Sequence, residues 1–352
     1  GLPNPPAVSM QTIAITGILV DIYGLEELPF ASQDNPTPTK VSVLWLHNPR
    51  LGDRSRMAFM AKHVIGEYNK TRPEGANRGL IAAAFDQRNH GSRKVHDLAN
   101  LAWKQGNAHH AQDMFGIISG TVVDTSLLID ALPGYLFLAA RSDAPPPAII
   151  DQHICLGVSL GGHSTWQALF ADPRIVAGVS IIGCPDFQLL MADRARLTKL
   201  ASYDPETKGA GFLGAAQFPP ALVAQCARFD PKGIVFGTRD VPRLNTNSSE
   251  GVAADNDKEH QQQERERIRG VLDKHVRGKK LLMCTGGDDK LVPWRCSEPF
   301  TDWFVDAAQT WYADGGLSVD NRIYPGRGHE CSTEMVQDAA RFVCEVVNGA
   351  EA

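Results

Sequence analysis

The stretch GVSLGGH sets Ser159 between Gly157 and Gly161, behind the apolar run AIIDQHICL and ahead of the helix-like QALFADP. A serine hydroxyl becomes a nucleophile when a base takes its proton and an acid orients that base. A strand-to-helix turn sharp enough to lift Ser159 clear of a sheet forces strained backbone angles. Flanking glycines, lacking Cβ, let neighbouring chains approach the kink. The following helix aims its N-terminus at the same spot and favours negative charge there. In a site of this kind the acid and then the histidine follow the nucleophile along the chain. KLLMCTGGDDKLVPW puts Asp289 in a loop after a buried strand, and DNRIYPGRGHECS puts His329 in a glycine-rich loop after the next strand. The chemistry this set could do is acyl transfer.

Such residues need a scaffold, and the chain alternates short β-rich runs with longer helical patterns. TIAITGILVDIYGL (12–25) reads as an opening strand or hairpin. VSVLWLH (41–47) and LIAAAFD (80–86) are continuous apolar runs, as in strands buried on both faces. RSRMAFMAKHVIGEY between them has helical spacing, and HAQDMFGIISGTVVDTSLLIDAL (110–132) reads as a further helix. ICLGVS, VAGVSIIGC, KLLMCTG and DNRIYP read as later strands and MVQDAARFVCEVV as a closing helix. This alternation indicates an α/β fold, a mainly parallel central sheet with helices on both faces. Ser159, Asp289 and His329 would then share the carboxyl edge of the sheet, where open α/β sheets gather their ligands.

Residues 187–278 break the rhythm, with no convincing buried strand beyond GIVFG. A segment this long inside a compact domain reads as a lid or binding element. The expected organisation is therefore a first core part over 10–186, a helical cap insertion over 187–278 and a second core part over 279–352. FQLLMA and ALVAQCARF would face the pocket or core, and KEHQQQERERIR would face water.

Bulk properties exclude several classes. The 352 residues suffice for a sizeable core, and a net charge of -5 argues against nucleic acid or an anionic membrane as the main partner. No apolar run reads as long enough to span a bilayer, and the start, GLPNPPAVS, lacks the basic and apolar parts of a secretory leader. The seven cysteines show no CxxC spacing, so no zinc or redox motif is indicated; reduced thiols imply a cytoplasmic protein. His109 and His110, adjacent on a helix, do not put two ligands on one metal, and neither a metal nor a cofactor is expected. His163 and His90 read as packing or loop-holding residues.

The motifs together resemble those of the α/β-hydrolase superfamily, nearest its serine esterase-type members. GVSLGGH resembles the nucleophile elbow, GGDDKLVP the acid loop G-x-x-D-x-x-V-P, and PGRGHE the histidine loop. FDQRNHGSR (85–93) resembles the D-x-R-N-H-G segment after the fourth strand of many esterases. The likeness runs from Val41 to the closing helix. It implies Ser159 as nucleophile, His329 as general base and then acid, and Asp289 as orienting carboxylate. Asp288 and Asp186 stay as alternatives, the D-x-x-V-P spacing favouring Asp289. One oxyanion donor would be the Leu160 N–H. The other falls in His47-Asn48-Pro49-Arg50, which departs from the usual H-G-x; proline has no N–H to give, so Asn48 is expected, with Arg50 second.

The resemblance implies a serine hydrolase acting on a small or medium carboxylic ester or lactone, a small-molecule substrate. The same parts would serve a thioesterase, an amidase or a prolyl-oligopeptidase-like peptidase. Members of this superfamily also act as receptors or non-hydrolytic lyases, so fold alone does not decide.

Overall fold

The computed structural model describes residues 4–30, 37–138, 146–242 and 255–350. Its strands are β1 (Met10–Ile15), β2 (Ile18–Tyr23), β3 (Thr39–His47), β4 (Arg78–Phe85), β5 (Ala148–Val158), β6 (Ile175–Ile181), β7 (Lys280–Gly286) and β8 (Ser318–Tyr324). The helices are α1 (Ala58–Thr71), α2 (His110–Ala131), α3 (Pro133–Leu136), α4 (Leu160–Ala171) and α5 (Phe187–Thr198). They continue with α6 (Pro220–Phe229), α7 (Pro231–Phe236), α8 (Asp255–His275), α9 (Trp294–Gln309) and α10 (Thr333–Asn348).

The strands form one sheet in the order β1-β2-β4-β3-β5-β6-β7-β8. β1 and β2 are a hairpin, turning at Thr16-Gly17 where both residues take positive φ, and β2 runs antiparallel to β4. Every later pairing is parallel. The alternation along β3 shows how the sheet is covered. Val41, Val43 and Trp45 point into a cluster with Trp166 of α4, Phe300 and Phe304 of α9, and Leu272 of α8. Leu44 and Leu46 point the other way, against Val64 and Ile65 of α1 and Met335 and Val343 of α10. Helices on both faces leave the carboxyl edge free for loops. Helix α4 is buried from Leu160 to Phe170, its polar side chains His163, Ser164, Thr165 and Gln167 included.

Between β6 and β7 the described helices divide into two groups. Ile268 and Leu272 of α8 and Val276 beyond it join the sheet-covering cluster, so α8 lies in the same layer as α4 and α9. α5 and α6 instead bring Phe187, Leu190, Met191, Leu222 and Cys226 to a third cluster that includes Leu160, Phe115 and Val292. GIVFG, the one strand-like run expected here, falls in α7 and the turn after it: Pro231 opens that helix and the Asp230 side chain caps it at Gly233 N.

One expectation needs correction. Helix α2 is long and apolar enough, by length and composition, to cross a membrane. Most of that surface is already spent inside the fold, where Phe115, Ile118, Val122 and Leu128 are core.

Candidate active site

Ser159 sits between β5 and α4 with φ 55° and ψ −113°. Two glycines make that turn possible. A Cβ on Gly157 would lie 2.0 Å from the Gly161 carbonyl oxygen, and one on Gly161 would lie 2.1 Å from the His47 carbonyl oxygen. No heavier residue fits either place without moving the backbone. The turn is braced from the next strand, since Ser159 N donates to Ile181 O at 2.8 Å.

The structure brings Ser159, His329 and Asp289 into one hydrogen-bonded chain across 170 residues of sequence. Ser159 Oγ lies 2.8 Å from His329 Nε2, and His329 Nδ1 lies 2.8 Å from Asp289 Oδ2. A carboxylate only accepts, so Nδ1 carries the proton and Nε2 is free to accept from the serine. Asp289 is buried, and its other oxygen accepts from Leu291 N at 2.8 Å and Val292 N at 2.9 Å. Two backbone N–H groups therefore fix the acid before the histidine is counted on.

The competing carboxylates are elsewhere. Asp288 is exposed, its N–H tied to Arg327 O. Asp186 caps α5 through Leu189 N and is buried near Asp230 and Lys232. Burial, foremost, holds its carboxyl above the usual carboxylate range.

Leu160 opens α4, where the first N–H groups have no partner within the helix. Asn48 is fully buried just beyond β3. Its side-chain amide donates to Pro49 O and Gly52 O, its Oδ1 accepts from Gln87 N, and its carbonyl accepts from the Gln87 side chain. The FDQRNHGSR segment is what holds this loop. Asp86 accepts from Arg54 and Ser92, which outweigh its burial and keep its carboxyl below the usual range. Gly91, with φ 51°, passes so close that a Cβ would meet the Asp86 carboxylate at 2.3 Å. His90 closes back on Arg88 O through Nδ1.

His47 and His163 flank the site without entering the chain of three. Burial lowers both to about 4, so they are neutral. His47 Nε2 meets Thr125 Oγ1 at 3.0 Å, beneath the Gly161 approach. His163 Nδ1 accepts from Cys184 N at 2.9 Å, leaving its Nε2 proton buried without a partner among the described residues. Among the described residues no group of three or more His, Cys, Asp or Glu is placed to hold a metal ion.

Sequence reasoning missed one part of this edge. Arg194 of α5 reaches across to His110 Nε2 (2.9 Å) and to Leu291 O (3.2 Å), directly beside the Asp289 loop. The only sequence signal was the charged DRAR near the end of the otherwise largely apolar FQLLMADRARL, which does not single out Arg194.

No protein-family model matches the sequence, and no curated protein matches it. Among solved structures, TT1662 from Thermus thermophilus superposes with a TM-score of 0.51 at 14% identity, over 97% of this chain and 99% of that one. Esterase PE8 superposes with a TM-score of 0.46 at 12% identity, over 97% of this chain and 100% of that one. An acylaminoacyl peptidase of Pyrococcus horikoshii gives 0.45 at 13% identity, over 97% of this chain; the chain spans 41% of that protein's length. The sheet order, the strained serine turn between β5 and α4 and the end-to-end likeness to TT1662 agree on one architecture: the chain has the α/β-hydrolase fold.

Proposed function

We propose that this chain is a serine hydrolase that cleaves a small or medium carboxylic ester or lactone through an acyl-enzyme. The observation that carries the reading is the unbroken Ser159–His329–Asp289 hydrogen-bond chain at a strained strand-to-helix turn. In the first step His329 Nε2 takes the Ser159 proton as Oγ attacks the carbonyl carbon, and the charge moves to the carbonyl oxygen. The N–H groups of Leu160 and Asn48 are assigned as its donors, helped by the N-terminus of α4. The protonated histidine, held by Asp289, then gives its proton to the departing alcohol. Water repeats the sequence on the acyl-serine and releases the acid.

Access would be set by α5 and α6, which share a hydrophobic cluster with Leu160, the residue after the nucleophile. A cap there favours small esters over folded proteins and polymers.

The test is labelling by a fluorophosphonate probe together with turnover of p-nitrophenyl esters of increasing chain length and of matched anilides. The expected result is one covalent adduct on Ser159 and ester turnover that Ser159→Ala lowers by about a thousandfold or more. Asp289→Asn should lower it by a similar order, through the wrong histidine tautomer. Undiminished turnover in Ser159→Ala would overturn the assignment, and faster cleavage of anilides than esters would move the substrate to amides.

A further inference from the structure

A cavity of about 320 Å³ opens on the carboxyl edge beside the Asp289 loop, lined among others by Arg50, Lys104, Leu190, Arg194, Lys290 and Leu291. It is built from the same segments as the candidate active site. Arg50 stands two residues after Asn48, and Lys290 and Leu291 directly follow Asp289. Leu291 joins the two: its N–H donates to Asp289 Oδ1 and its carbonyl accepts from Arg194. A larger hollow of about 590 Å³, around Asp302, Asp306 and Asp320, shares no residue with this edge.

The charge in the smaller cavity is unbalanced. Neither Arg50 nor Arg194 makes an ion pair among the described residues. Arg194 donates to the His110 ring, to Met114 Sδ and to Leu291 O, all neutral, and Arg50 donates to Asn100 O. The one lining carboxylate, Asp193, is already engaged by Arg196 and Arg295. Burial, and then the charge of Arg50, lower Arg194 to about 10, and burial lowers Arg50 too. His110 is lowered to about 3, first by burial and then by the two arginines, so it meets Arg194 as a neutral acceptor. Two guanidinium groups so placed are costly until a carboxylate pairs with their remaining N–H donors. The volume is at the small end of ligand clefts, and Leu190 and Leu291 supply apolar wall.

We propose that this cavity receives a free carboxylate carried by the substrate, so that the ester cleaved at Ser159 is a short one with an anionic end. This rests on the hydrolase reading above for the cleavage, and on the cavity alone for the binding.

Two pairs of esters test it, with the charge on the acyl side or on the alcohol side. They are p-nitrophenyl hydrogen glutarate against p-nitrophenyl pentanoate, and 4-butanoyloxybenzoate against its methyl ester. The expected result is a kcat/KM at least tenfold higher for the anionic member of one pair, read mainly in KM and shrinking as salt rises. Arg194→Gln and Arg50→Gln should each cut that ratio at least fivefold. Should those variants not fold, the Lys104→Ala, Lys290→Ala double variant at two exposed positions should cut it at least twofold. A ratio near one in both pairs, or a ratio unchanged in the folded variants, overturns the proposal. A binding measurement separates the two readings: glutarate should raise the Tm of Ser159→Ala protein, glutaramide should not, and the lysine double variant should weaken the effect. Inert esters with a glutarate-stabilised protein remove the hydrolase reading and keep the anion site. Ester turnover without charge preference, with glutarate silent, does the reverse.

Discussion

At Ser159 the backbone holds a non-glycine residue at φ 55°, ψ −113°, a region that costs on the order of 1–3 kcal/mol. Alanine at this position keeps the strain and glycine relieves it. Ser159→Gly should therefore unfold at a higher temperature than Ser159→Ala by the equivalent of about 1 kcal/mol, although both lack the hydroxyl. Equal melting temperatures would mean that the turn stores no strain. Stability given up at one residue is what keeps Oγ aimed at His329 rather than folded back along the helix.

At the scale of elements, the site is a matter of how closely α4 approaches the ends of β3 and β5. Gly161 passes under the His47 carbonyl, and a methyl group has nowhere to go. Gly161→Ala should push α4 outward and cost about 1–3 kcal/mol or more, with ester turnover falling as Ser159 and Leu160 shift together; a urea titration and a turnover assay on one preparation check it. This contact was legible in the sequence because the glycines flank the serine within five residues, and β3, β4 and β7 because strands buried on both faces read as unbroken apolar runs. Asp289 was legible because it follows such a run, and His329 because its glycine-rich loop follows the strand-like DNRIYP. The Arg50–Arg194 cavity was not. Its parts come from four segments, and nothing local marks a guanidinium that lacks a carboxylate until α5 is folded over the Asp289 loop. GIVFG misled for a different reason: its composition suits a strand, while the Asp230-Pro231 cap ahead of it starts a helix.

Across the described residues, burial is the leading cause that lowers five buried histidines: His47, His153 and His163 to about 4, His110 to about 3, and His90 below its ordinary value. In the unfolded chain they return toward 6.5. Below that value the unfolded state takes up protons that the folded state refuses, so stability falls as pH drops from about 6.5 toward 4 and levels off beneath the folded values. The expected outcome is a urea midpoint that declines steadily between pH 6.5 and 5, before most carboxylates titrate. A midpoint flat across that interval would show that these rings admit protons in the native state.

The hydrogen bond from Ser159 to His329 spans 170 residues, and the last two strands and the helix between them must be in place before it can close. Synthesis advances at roughly 5–20 residues per second, so roughly 10–30 seconds separate the making of the serine from that of its base. During that interval the nascent chain carries Ser159 without its proton acceptor. On the hydrolase reading proposed above, reactivity would switch on only once the carboxyl-terminal part has been made and docked, and an unfinished chain would be chemically silent.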